Sequence, residues 1–100
     1  RLQKSTDAYE FYKNKYELGC NYLKVFTVED EYRLRDTIAT VEEQLTGKGF
    51  IRLHRGFLVN QRAVKAWGSD EVILFTEKKL PIGRSYGEAA KKQWMRYMLK

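Results

Sequence analysis

The chain reads as a mainly β domain with two helices, and three observations point there. Short runs of β-branched and aromatic residues recur at 22–28, 50–53, 57–59 and 71–76, each bounded by glycine, asparagine or charge. Only two stretches carry a clear apolar stripe at helical spacing, at 38–45 and 90–98. With 100 residues, 43% of them apolar, the chain can bury one core and is too apolar for a disordered segment.

Residues 1–8 are polar and unpatterned and read as a linker or frayed end, which leaves 9–100 as one domain. Tyr9, Tyr12 and Tyr16 follow helical spacing whereas Tyr9 and Phe11 fit a strand, so the type of this segment stays open. Residues 22–28 form a strand, and the acidic turn Glu29-Asp30-Glu31 leads to a hairpin partner at 32–34. Asp36 or Thr37 can cap a helix of about three turns, with Ile38, Val41 and Leu45 on one packing stripe. Gly47 and Gly49 then terminate it in left-handed conformations.

Two strands follow at 50–53 and 57–59, separated by a basic break. A hairpin of 71–76 and 80–82 turns across Glu77-Lys78-Lys79 without an Asn-Gly pair. Pro81 cannot donate to a ladder, so its strand is short or lies at an edge. Ser85 and Glu88 stand at capping-box spacing before the last helix. Ala90, Trp94, Tyr97 and Met98 form its apolar stripe, and Lys92, Arg96 and Lys100 line another face.

Charge narrows the function. Residues 1–50 carry 8 Lys/Arg against 9 Asp/Glu, residues 51–100 carry 11 against 4, and the whole chain is +6. A basic half on a small domain fits a nucleic acid or another anionic surface. The lone Cys20 excludes an internal disulfide, and neither a leader nor an apolar run of roughly 18 residues is present. These features predict a cytoplasmic protein or an excised domain, with no membrane partner.

Enzyme chemistry is poorly supplied. One His and one Cys cannot fill a zinc site, Glu29-Asp30-Glu31 lacks calcium-loop spacing, and Ser5, Ser69 and Ser85 have no nucleophile setting. The glycines form no phosphate-cradling motif. The expectation is a non-enzyme without a cofactor or metal.

The basic residues are the better candidates. In 50–60 (FIRLHRGFLVN) Phe50, Leu53, Phe57 and Val59 anchor the segment, while Arg52, His54 and Arg55 cannot be buried unpaired. That predicts a cationic corner held out on an apolar scaffold. Arg55 before Gly56 can reach a guanine edge or a phosphate, or else form a surface ion pair. Arg84 after Gly83, beside the Ser85 hydroxyl at a helix start, suits a phosphate, or is an ordinary helix-edge arginine. Asn21 reads as a turn residue, Asn60 as a turn cap, and Trp67 and Trp94 as core or hinge aromatics.

These same residues resemble a known family. Residues 50–60 resemble the F-x-R-x-H-R-S-x-x-V-N signature of LytTR-type DNA-binding domains. Glu17, Gly19 and Asn21-Tyr22 resemble the loop before the second strand of that family. Ile38, Val41-Glu42 and Leu45 resemble its S-L-x-x-L-E-x-x-L helix, and residues 80–86 its closing L-P-I-S-R-x-Y. The likeness covers about residues 12 to 90, in order. It implies an elongated stack of small antiparallel sheets with two or three short helices. It further implies the output domain of a bacterial response regulator, in a two-component system, which binds paired direct repeats of double-stranded DNA as a dimer and reads them through loops. A receiver domain would then precede this chain in a longer protein.

By that resemblance Asn21, Arg55 and Arg84 occupy three base-facing loop positions and His54 organises the corner; Ser85 and Lys24 are further DNA-binding candidates. Gly56 and Gly83 stand where the family has serines, so backbone N–H groups would replace two hydroxyls. Lys13 and Lys15 also make the first strand more charged than is usual there, and residues 91–100 lie outside the likeness. Two rival readings are a protein-interaction domain with a basic face and a single-stranded nucleic-acid binder using exposed aromatics.

Overall fold

The computed structural model describes residues 9–99, so the expected linker at 1–8 lies outside the described residues. The molecule measures 39 × 28 × 26 Å and is mainly β. A five-stranded antiparallel sheet is built from β1 (Tyr9–Glu17), β2 (Cys20–Thr27), β3 (Glu31–Leu34), β4 (Phe50–His54) and β5 (Phe57–Asn60). Its order is β3-β2-β1-β5-β4. A second sheet holds β6 (Val64–Trp67), β7 (Glu71–Leu74) and β8 (Lys79–Pro81), with β7 central. Helix α1 (Ile38–Gln44) follows β3, and α2 (Gly87–Met98) closes the chain.

The larger sheet has apolar side chains on both faces, which explains the near-continuous apolar runs of its strands. Tyr12, Leu23, Val25 and Leu58 pack with Ile38 and Val41 of α1 and with Leu45 at its C-terminal cap. Phe11, Ile51, Leu53 and Val59 pack instead with Val64, Val72, Leu74 and Leu80 of the small sheet and Ala90 of α2. Strand period decides the division, since neighbours Phe11 and Tyr12 point to opposite faces. Pairing with β2 and β5 settles the 9–16 segment as strand, with a register shift between Tyr9 and Phe11. Tyr12 puts its hydroxyl in the core, where burial raises the phenol above its ordinary value, helped by the neighbouring Tyr9.

Several expectations need correction. The first helix has two turns rather than three, because Leu45 caps it and Gly47 takes a φ of +83°. Of the two expected caps Thr37 serves, as one alternative anticipated, accepting from the Thr40 N–H at 3.1 Å. The 71–76 strand stops at Leu74, where the Leu74 N–H donates to the Lys78 carbonyl and Phe75 turns outward, 66% exposed. Ile82 lies beyond β8, whose short edge position agrees with Pro81. Strand β6 has no counterpart in the sequence reading.

Ser85 does not cap the last helix. Tyr86 occupies the N-cap position without a side-chain bond, and the Gly83 carbonyl accepts from the Tyr86 and Gly87 N–H groups. On that helix Met98 is exposed rather than packed, while Trp94 stacks on Trp67 at 5.3 Å between ring centroids. Asn60 does cap a turn: its side chain accepts from the Arg62 N–H at 3.0 Å and donates to the Tyr9 carbonyl at 2.8 Å.

Candidate nucleic-acid interface

Strand direction gathers three loops at one end of the molecule. β1 runs toward Glu17 and pairs with β5 so that Lys13 faces Phe57, next to the β4–β5 turn. The β1–β2 hairpin tip therefore extends past that turn. β8 leads to Gly83, whose N–H donates to the Leu53 carbonyl at 2.7 Å, so the third loop comes to the same end of β4.

The hairpin tip is a two-residue turn, with Glu17 opposite Cys20 and positive φ at Leu18 (+54°) and Gly19 (+79°). Asn21 sits one step below the apex, paired with Tyr16 and exposed. Beneath it the Glu17 carboxylate accepts from the Tyr22 hydroxyl and the Arg33 guanidinium, both at 2.9 Å. The Tyr22 hydrogen bond first, then the charge of Arg33, holds the Glu17 carboxyl below the usual carboxylate range. Arg33 also lies over the Tyr22 ring at 4.2 Å, so the tip is braced across β1, β2 and β3.

The basic corner of 52–56 is organised from within. Arg52 does not project as the sequence suggested; its side chain is 18% exposed. Its Nε donates to the His54 carbonyl and its Nη2 to the Arg55 carbonyl, both at 3.0 Å, and Nη1 pairs with Glu42 of α1. One planar fork thus satisfies two carbonyls of the turn and one carboxylate, a task suited to guanidinium geometry. His54 Nδ1 accepts from the Gly56 N–H at 3.0 Å and its ring meets Phe57 edge-on, the corner-organising part expected of it. The Gly56 carbonyl in turn accepts from the Asn14 N–H at 2.9 Å. Arg55 is left exposed, and its guanidinium has no ion pair among the described residues.

The third loop is packed against the second. A Cβ on Gly83 would stand 3.3 Å from His54 Cα and 3.1 Å from the Tyr86 ring, closer than most side chains tolerate. The Tyr86 ring also lies beneath the Arg52 guanidinium at 5.3 Å. Arg84 leaves this turn exposed, with Ser85 exposed beside it, and lines an open cleft with Trp67, Asp70, Glu88 and Lys91.

The structure therefore brings Asn21, Arg55 and Arg84 to one end, with His54 among their supports. Lys24 stands further down β2, half-buried and bonded to Glu31 at 3.1 Å. Sequence reasoning missed Arg35, which shares a cleft with Asn21 and Leu18, and Lys91, which shares one with Arg84. No local motif marks either, since both approach only through folding. Among the described residues no group of three His, Cys, Asp or Glu side chains could hold a metal ion, and no helix is long and apolar enough to cross a membrane.

In sequence and in fold the chain is similar to known proteins. The family model described as LytTr DNA-binding domain matches residues 17–95. The sensory transduction protein LytT of Bacillus subtilis is 32% identical over 76 residues, which cover 71% of this chain and 32% of that protein. LytT of Enterococcus faecalis is 30% identical over 69 residues, covering 64% and 28% respectively. The chain thus spans less than a third of the length of these curated relatives. The solved LytTr DNA-binding domain of a Bacillus cereus protein, described as a putative methyl-accepting/DNA response regulator, superposes with a TM-score of 0.79. It is 20% identical and covers 90% of this chain and 84% of that one, a likeness of fold.

Proposed function

The chain belongs to the LytTr DNA-binding domain family, and on that premise we propose that it binds double-stranded DNA sequence-specifically, reading bases through loops. The longer protein it serves is a bacterial transcription regulator of the response-regulator type, acting in the cytoplasm with a receiver domain upstream. Two copies bind paired direct repeats.

One observation carries the reading. Three turns far apart in sequence, at 18–21, 55–56 and 83–84, meet at one end of the sheet and present Asn21, Arg55 and Arg84 outward. Arginine offers two parallel donors to guanine O6 and N7, and an asparagine amide offers a donor and an acceptor to adenine. Exposed cations nearby, Arg35 and Lys91, supply sequence-independent attraction to phosphates. Backbone hydrogen bonds fix the turns, so little ordering remains to be done on binding.

Fluorescence anisotropy titrations of random duplexes, a selected duplex, single strands and heparin across a salt series test this. The expected result is a duplex sequence preference that persists at fixed salt. Equal binding to heparin and every duplex would favour an acidic protein partner, and stronger binding to single strands would favour stacking on exposed aromatics.

A further inference from the structure

Leu18 is the most exposed large apolar residue of the described chain, 96% exposed, and it sits at the apex of the β1–β2 hairpin. Its φ of +54° lies where an L side chain crowds its own backbone. Asparagine or glycine fills such turns at lower conformational cost. Singly exposed leucines are ordinary on protein surfaces. A leucine held in a strained conformation, at a tip, with no burial in return, is not explained by its own fold. Strain of this kind concentrates at sites of contact.

The surroundings of Leu18 are braced. Glu17, Tyr22 and Arg33 brace the hairpin directly below the apex. Leu18 shares an open cleft with Asn21 and Arg35, an amide suited to base edges and a cation suited to phosphate. An isobutyl group gains nothing from phosphate and would desolvate the amino and carbonyl groups of most base edges. Thymine alone offers a methyl group in the major groove.

We propose that Leu18 is a specificity-determining residue that packs its methyl groups against the 5-methyl of a thymine beside the base met by Asn21. This inference rests on the DNA-reading function proposed above.

The test uses the preferred duplex obtained from a random-library selection, with each thymine replaced in turn by uracil, which removes only the methyl. Affinities are measured for the chain and for Leu18→Gly, whose glycine suits the left-handed turn and keeps the hairpin; a matching urea midpoint verifies this. One thymine-to-uracil change is expected to weaken the chain about fourfold, the worth of one buried methyl group. Leu18→Gly should bind the thymine duplex about as weakly and ignore that same change. If the chain prefers no duplex at all, the underlying reading fails. If it discriminates normally but Leu18→Gly keeps the full methyl dependence, only the role of Leu18 is overturned. A loss of self-association with intact methyl dependence would likewise overturn it, placing Leu18 at a protein contact.

Discussion

On the proposed reading, Arg52→Ala should weaken DNA binding through the corner that Arg52 braces rather than through a contact of its own. The substitution deletes two hydrogen bonds to the His54 and Arg55 carbonyls and the pair with Glu42. Bonds from a charged donor contribute about 1.5–3 kcal/mol each when buried, and less where water can replace them. Both carbonyls lie at a surface corner and Glu42 is 43% exposed, so water recovers part of the loss. A net destabilisation of about 2–3 kcal/mol follows. For a domain of this length that lowers the melting midpoint by roughly 10–20 °C. At 15 °C, where the variant remains folded, the loosened corner should still weaken binding to the preferred duplex about tenfold or more.

Salt dependence separates positioning from direct contact. Removing one phosphate-neutralising cation lowers the slope of log affinity against log salt by about 0.9. Arg52→Ala should leave that slope unchanged, and Arg52→Lys should rescue little, because an ammonium cannot serve three acceptors in a plane. Calorimetry for stability and anisotropy across 50–300 mM salt, roughly the range over which such slopes are read, are the assays. A slope reduced by about one would show that Arg52 meets phosphate itself, and an unchanged melting midpoint would refute the bracing role.

Other predictions follow from neighbouring features. Arg55→Ala and Arg84→Ala should each cost about 1–3 kcal/mol on the preferred duplex and relax one base position in a selection experiment, whereas equal losses on random DNA would demote the residue to a phosphate contact. Gly83→Ala should separate the second and third loops, because its Cβ meets the His54 backbone at 3.3 Å; DNA affinity should fall more than stability, and an unaltered affinity would refute the coupling. Tyr12 has a raised folded-state value, so stability is complete below the ordinary phenol value of about 10 and declines above it as the unfolded chain ionises first. Alkaline difference absorbance should show Tyr12 ionising only on unfolding, and its titration in the native chain would contradict that burial. Glu17 is shifted the other way: the tip network is complete above the ordinary carboxylate range and is lost as pH falls through the lower folded-state value, which carboxyl carbon NMR shifts would follow.

Strand and helix positions are legible where the side chains carry period and bulk. Residues 22–28, 50–53 and 57–59 announce themselves because both faces of that sheet are apolar, and α1 because Ile38, Val41 and Leu45 share one stripe. β6 is illegible because Val64-Lys65-Ala66-Trp67 has only Val64 buried and includes two residues depleted in strands. The final helix misleads at its start, since Ser85 and Glu88 have the right spacing while the helix begins one residue later, with Tyr86 as its N-cap after a turn closed on the Gly83 carbonyl. Asn21, Arg55 and Arg84 stand out as a set only through family likeness; composition marks no more than a basic half. Arg52 shows the limit of reading charge from sequence: the residue is cationic, but its partners are carbonyls two and three positions ahead, invisible until the turn is drawn.

Each of the three tips has its own fastening. The hairpin leans on Glu17 and Arg33, the corner on Arg52 and His54, and the last turn on the Gly83–Leu53 bond. None of those fastenings uses the side chain of Asn21, Arg55 or Arg84. Exchanging the amino acids at the tips should then redirect the domain toward another operator while the framework stays as it is. On the proposed reading, each tip could then be altered by itself without changing how the protein folds.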